Sequence, residues 1–172
     1  MMNLEEKDRI GQYLRPRLGE IVFDELSDAY LEKAGIADIL TGVPIPLKKN
    51  ELGSISTLTI AKCMAFVIGC DPEFKYKENY IAYITRTFEV RFADALIAEG
   101  VETAASKQSY DYACILFRAA MQIEPDNANA YYCYGRACKD AYEAAAETLE
   151  ASEEAEEFVG RFKAEALEAF EV

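Results

Sequence analysis

Apolar positions recur at helical spacing along most of the chain. Ile10, Leu14, Leu18 and Val22 step by four, and Leu26, Ala29, Tyr30 and Lys33 carry the register on. Pro16 lies inside this stripe. It lacks an amide donor and crowds the preceding turn, so a break or kink near Arg15 is expected. Gly35 suits a helix C-cap, residues 36–40 read as a short turn of helix, and Gly42 stops it. Val43-Pro44-Ile45-Pro46-Leu47 reads as extended, because two prolines two apart hold the backbone open. Residues 48–53 read as a loop. From Ser56 the helical pattern returns: Leu58, Ile60, Ala61, Met64, Ala65, Phe66, Val67 and Ile68 are apolar on most sides and predict a buried helix that Gly69 ends. Asp71-Pro72-Glu73 offers a capping carboxylate, a proline for the first helical position and an acid in the first turn. It predicts the start of an amphipathic helix through Tyr76, Tyr80, Ile81, Tyr83, Ile84, Thr87 and Phe88. No strand is predicted, although residues 55–60 alternate somewhat in the manner of one.

The stretch from Phe92 to Lys139 has a more specific pattern. Phe92-Ala93-Asp94-Ala95-Leu96-Ile97-Ala98-Glu99-Gly100 opens a helical run to Ser106, and Lys107-Gln108-Ser109 reads as a turn. A second helix carries Ala113, Phe117 and Ala120 and closes at Pro125; Tyr131, Tyr134, Gly135 and Cys138 follow, with Asp126 or Asn127 available to cap their helix. This resembles the tetratricopeptide repeat family, in which helix A carries a large residue, leucine-glycine and tyrosine, and helix B carries alanine, an aromatic four later and a closing proline. The small residues of such a pair sit where its two helices come closest. Two features depart from the pattern. Gly100 lies thirteen residues before Ala113, one more than usual, with Glu99 in the leucine position. After Gly135 the next alanine–aromatic pair of the right kind is Ala166 with Phe170, which implies an insertion of roughly nineteen residues or a different packing.

The resemblance implies an all-α fold: helical hairpins stacked as a short right-handed superhelix over residues 92–172, preceded by an N-terminal helical region over 1–91. The second repeat is expected to be divergent, with a long acidic C-terminal helix. It also implies non-catalytic recognition of another protein or peptide in a concave groove lined by the A helices. Carried over by position, that groove is lined by Asp94, Ile97, Ala98 and Val101 from the first A helix, and by Asn129, Tyr132, Cys133, Arg136 and Lys139 from the second. The first helix offers no Lys, Arg or Asn at these places, so a clamp for a C-terminal carboxylate is not expected.

Charge and composition narrow the picture. There are 18 Lys+Arg against 31 Asp+Glu, a net −13, which repels nucleic-acid backbones and anionic membranes. Residues 143–172 hold ten Glu and two basic residues, so −8 of that charge sits in the last thirty positions. An apolar stripe runs through them at Tyr142, Leu149, Ala155, Val159, Phe162, Ala166 and Phe170, which predicts a helix with a solvated acidic face or a surface for a basic partner. The same helix is the candidate for homo-oligomerisation, the alternative to recognition of a different chain. Histidine is absent, which removes imidazole-based triads and most zinc chemistry. No glycine-rich phosphate loop is present. No catalytic residue, metal site or cofactor is therefore expected. The charged N-terminus does not read as a signal peptide, no apolar run approaches the roughly 20 residues of a membrane span, and the five cysteines are expected reduced in the cytoplasm.

Overall fold

The protein, seen in a computed structural model, is described over residues 4, 8–53, 56–88, 91–107, 109–148 and 152–172. It is all-α, with nine α-helices and one small two-stranded sheet among the described residues. The break expected near Arg15 is there, but the helical stripe does not resume beyond it. Helix α1 (Gly11–Leu14) gives way to a 3-10 segment, Arg15–Glu20, and then to strand β1 (Ile21–Asp24). Proline at the second position of the 3-10 turn explains the break. Helix α2 (Asp28–Ala34) is capped by Ser27, whose hydroxyl accepts from the Tyr30 amide, and ends at Gly35 with φ +74°, as a C-cap glycine should. Helix α3 (Ala37–Leu40) follows, and Gly42 adopts the same left-handed conformation.

The extended segment after Gly42 forms strand β2 (Ile45–Lys48), antiparallel to β1, with Val22 opposite Leu47 and Phe23 opposite Pro46. This sheet was not expected, because β1 carried apolar residues in phase with the helical stripe before it. Its partner lies beyond two helices, and a pairing so remote leaves no local signal. Helix α4 (Thr57–Cys70) starts at the Ser56 cap and is buried over most of its surface. It runs on through Gly69, where the expected stop is absent; the glycine instead makes room for the Ile115 carbonyl, which a Cβ there would strike. Asp71-Pro72-Glu73 forms a turn in which the Asp71 carboxylate accepts from the Glu73 amide, and α5 (Lys77–Thr87) begins only afterwards.

The C-terminal half is two helical hairpins. Helices α6 (Phe92–Lys107) and α7 (Tyr110–Ile123) form the first. Helix α8 (Ala128–Thr148), capped by the Asn127 side chain on the Ala130 amide, and α9 (Glu153–Phe170) form the second. The expected single long acidic helix is thus two helices. Ser152 caps α9 through the Ala155 amide, and Glu153, Glu154 and Glu156 occupy its first turn, where carboxylates meet the positive end of the helix dipole. Leu149 of the proposed stripe lies outside the described residues. The hairpin is antiparallel: Phe158 lies with Ala144, Ala145 and Thr148, whereas Phe170 lies beside Tyr132 and Gly135. Both hairpins place a glycine against an aromatic ring. A Cβ on Gly100 would sit 2.5 Å from Phe117, and one on Gly135 would sit 2.6 Å from Phe170. The two approaches are alike in distance, although Phe117 is buried and Phe170 is partly exposed. One hydrophobic core runs from Ile10 and Leu14 through α4 and α7 to Phe162 and Ala169.

Candidate functional site

A trough runs along the face shared by α6 and α8. The two helices point the same way, since Val101 on α6 meets the Tyr132 side and Tyr110, past the end of α6, meets the Thr148 side. Two recesses of about 360 and 550 Å³ join through their common walls Ala104, Ala137 and Asp140. The first is closed by Val101, Tyr132, Cys133 and Arg136, the second by Ala141, Ala144, Ala145, Thr148, Tyr110 and Phe158. The floor is alanine because α8 presents alanine at 137, 141, 144 and 145, a spacing that keeps one helix stripe small. Behind Phe158, the rings of Tyr13, Tyr110 and Phe162 pack at centroid separations of 4.9, 5.5 and 4.4 Å and hold the far wall rigid.

Arg136 and Asp140 line the recesses, and two further acids of α8, Glu143 and Glu147, continue their row outside the lining. Arg136, Asp140, Glu143 and Glu147 recur at four, three and four, which keeps them on one helix face. Arg136 Nη1 donates to the Tyr132 hydroxyl at 3.3 Å, which with Asp140 at longer range holds the guanidinium above its ordinary pKa. No carboxylate lies within ion-pair distance of Arg136 among the described residues. Lys139 pairs with Glu143 at 3.8 Å. Cys133 donates to Asn129 Oδ1 at 3.7 Å, and burial pushes its thiol pKa up.

Of the residues that the repeat pattern placed in the groove, Val101, Tyr132, Cys133 and Arg136 come together as its first recess. Asn129 lies a turn earlier on α8, and Lys139 is turned aside to Glu143. Asp94 is exposed and accepts from Asn127 across the start of α8 at 3.3 Å. Ile97 is buried in the core and does not line the trough, because α6 turns that face toward its neighbours. The alanine floor and Asp140 went unrecognised, although the spacing of alanines on α8 was a legible sign.

A second cluster was missed altogether. Arg118 on α7 is 0% exposed, and both of its terminal nitrogens donate to Asp8, at 2.8 and 2.6 Å. Buried Glu165 on α9 accepts from the Tyr134 hydroxyl and from Arg9 at 2.9 Å, while Arg9 also reaches Glu168. Burial pushes the Glu165 carboxyl up, against the Tyr134 hydrogen bond and the Arg118 charge, and pushes the Tyr134 hydroxyl well above its usual range. Arg118, Tyr134 and Glu165 are buried while Arg9 and Glu168 stay partly exposed, and together these groups join the N-terminal segment to α7, α8 and α9. The available signal was one arginine on an otherwise apolar face of α7, between Cys114 and Met121.

Among the described residues, no three His, Cys, Asp or Glu side chains are grouped to hold a metal ion, and no helix is long and apolar enough to cross a membrane. All five cysteines are free. Compared with protein-family models, curated proteins and solved structures, the chain has no match.

Proposed function

We propose that this protein is a non-catalytic recognition module of the tetratricopeptide repeat type that binds a segment of another protein in the α6–α8 trough. The observation that carries the reading is the trough: a continuous, alanine-floored recess on the A-helix face with the Arg136 guanidinium, hydrogen-bonded to Tyr132, at its rim. The Gly100–Phe117 and Gly135–Phe170 contacts support the repeat resemblance, since each hairpin sets a glycine of its first helix against an aromatic of its second. Apolar lining with few polar groups suits protein or peptide binding, and net −13 disfavours nucleic acid and anionic membranes. The test begins with purification of a partner from the source cell and titration against the chain by calorimetry. Arg136→Glu with Lys139→Glu should weaken binding at least tenfold while helicity and melting hold. Undiminished affinity would move the interface away from the trough.

A second reading has its own observation. Leu167, Phe170 and Val172 are each exposed near the end of α9, apolar side chains that self-association would cover. Sedimentation equilibrium decides: a dimer that Leu167→Glu dissolves would favour assembly, and a monomer at 100 μM would end it.

A further inference from the structure

Taking the trough as a binding groove, the shape and charge of its walls define what occupies it. The geometry points to an amphipathic α-helix lying antiparallel to α6 and α8, small apolar residues down, basic residues in its N-terminal half and a carboxylate-bearing C-terminal end at Arg136.

Backbone pairing decides the conformation of the occupant. An extended peptide needs partners for its amides and carbonyls, and it finds them on a sheet edge or on polar side chains spaced along a groove. This trough is walled by helices, whose backbone groups are already paired, and its floor is alanine. Few side chains in the lining can offer hydrogen bonds, chiefly Tyr110, Tyr132, Arg136, Asp140 and Thr148. An extended segment would bury unpaired polar groups over Ala137, Ala141 and Ala144, whereas a helix satisfies its own. Small side chains on the floor also let a helix axis come close.

Charge along the rim sets the occupant's direction. The row on the α8 rim starts with Arg136, which has no carboxylate within ion-pair distance among the described residues, and continues as Asp140, Glu143, which Lys139 offsets at 3.8 Å, and Glu147. At the same far end, Glu153, Glu154 and Glu156 open α9. From residue 136 to 147 the rim rises about 16 Å, three turns of helix, so the field reverses within the length of one ligand helix. Basic side chains and the positive helix N-terminus belong at the acidic end, while acidic groups and the negative C-terminus belong at Arg136. That orientation opposes the occupant's dipole to those of α6 and α8.

The test uses the full chain and a displayed library of random 16-residue peptides, with enriched peptides synthesised and titrated. Ala144→Arg fills the second recess from an exposed position, and Asp140→Arg with Glu147→Arg reverses the rim. The proposal expects apolar residues at helical spacing with Lys and Arg toward the N-terminus, helicity gained on binding by circular dichroism, and at least tenfold loss with either variant. A nitroxide on Thr148→Cys, in a Cys133→Ser background, should broaden NMR signals of the peptide's N-terminal half. Peptides sensitive to Ala144→Arg that gain no helix, ignore the rim reversal or show the opposite broadening overturn this inference and leave the groove reading standing. Peptides indifferent to Ala144→Arg, or a trough filled by a second copy of the chain, overturn both.

Discussion

Arg118 and Asp8 are the residue pair on which the N-terminal segment turns. A guanidinium with no exposure needs a carboxylate, and removing one partner of such a pair destabilises by roughly 3–5 kcal/mol, because the other is left buried and uncompensated. Asp8→Ala should therefore unfold at markedly lower urea. Arg118→Met should cost less, since Asp8 keeps Arg15 at 3.6 Å, and the double variant should recover much of the loss seen in Asp8→Ala. A double variant no better than Asp8→Ala would mean that the pair does not act as a unit. The two glycines make a sharper comparison. Gly100 faces Phe117, which is buried, but Gly135 faces Phe170, which is 41% exposed and free to swing. Gly100→Ala should lose about 1–3 kcal/mol by overpacking. Gly135→Ala should stay within about 1 kcal/mol of wild type, as a helix gains about that much from alanine over glycine. Chemical denaturation of both variants checks the order, and the reverse order would exchange the tight and loose hairpins.

At the scale of elements, the helices were legible wherever amphipathic spacing and caps agreed. Ser56, Gly35 and Asn127 do what their residue types predict. Where the reading failed, a local pattern was overruled by a distant partner: Val22 continued a helical step yet pairs with Leu47, and Arg118 was one residue among apolar neighbours whose counter-ion lies 110 positions away. The division of the acidic end into α8 and α9 was readable, because Ser152 followed by acids is a helix start. The trough was half legible, since repeat register located Val101, Tyr132 and Arg136 but could not say which face of α6 would be buried. Ser152→Ala should test the α9 start, costing about 1 kcal/mol with little change in total helicity. The joint at the start of α7 adds a pH dependence. Burial raises the Asp111 carboxyl, but hydrogen bonds from Ser109 and from Arg17, the latter at 2.6 Å, prevail and hold it below the usual value. Its stabilisation is present above the unfolded pKa, about 3.9, and is lost as pH falls through the lower folded value. Arg17→Met should shrink that acid limb in melting midpoints measured from pH 5 to 2.

For the whole molecule, the question is whether the helices before residue 92 and the hairpins after it unfold together. They share one core: α4 packs on α7, Gly69 meets the Ile115 backbone, and Gln122 reaches the Ile68 carbonyl at 2.7 Å. The Asp8–Arg118 pair and the Arg9–Glu165 bond add charged joints between the same parts. Independent units would require those buried charges to be solvated while half the chain stayed folded, which the penalty for an uncompensated ion opposes. The cysteines are placed to report on this, with Cys70 on α4, Cys114 on α7 and Cys138 on α8, all buried. Burial pushes the Cys70 thiol up to about 12 and Cys138 well above its ordinary value, so both are inert while folded. In native protein, iodoacetamide should modify Cys133 first, the one thiol that is partly exposed. With urea, Cys70, Cys114 and Cys138 should become reactive at one common midpoint, read by mass spectrometry of pulse-labelled peptides. Release of Cys70 at distinctly lower urea than Cys138 would show that the N-terminal helices open on their own, and would make the trough the property of an autonomous pair of hairpins.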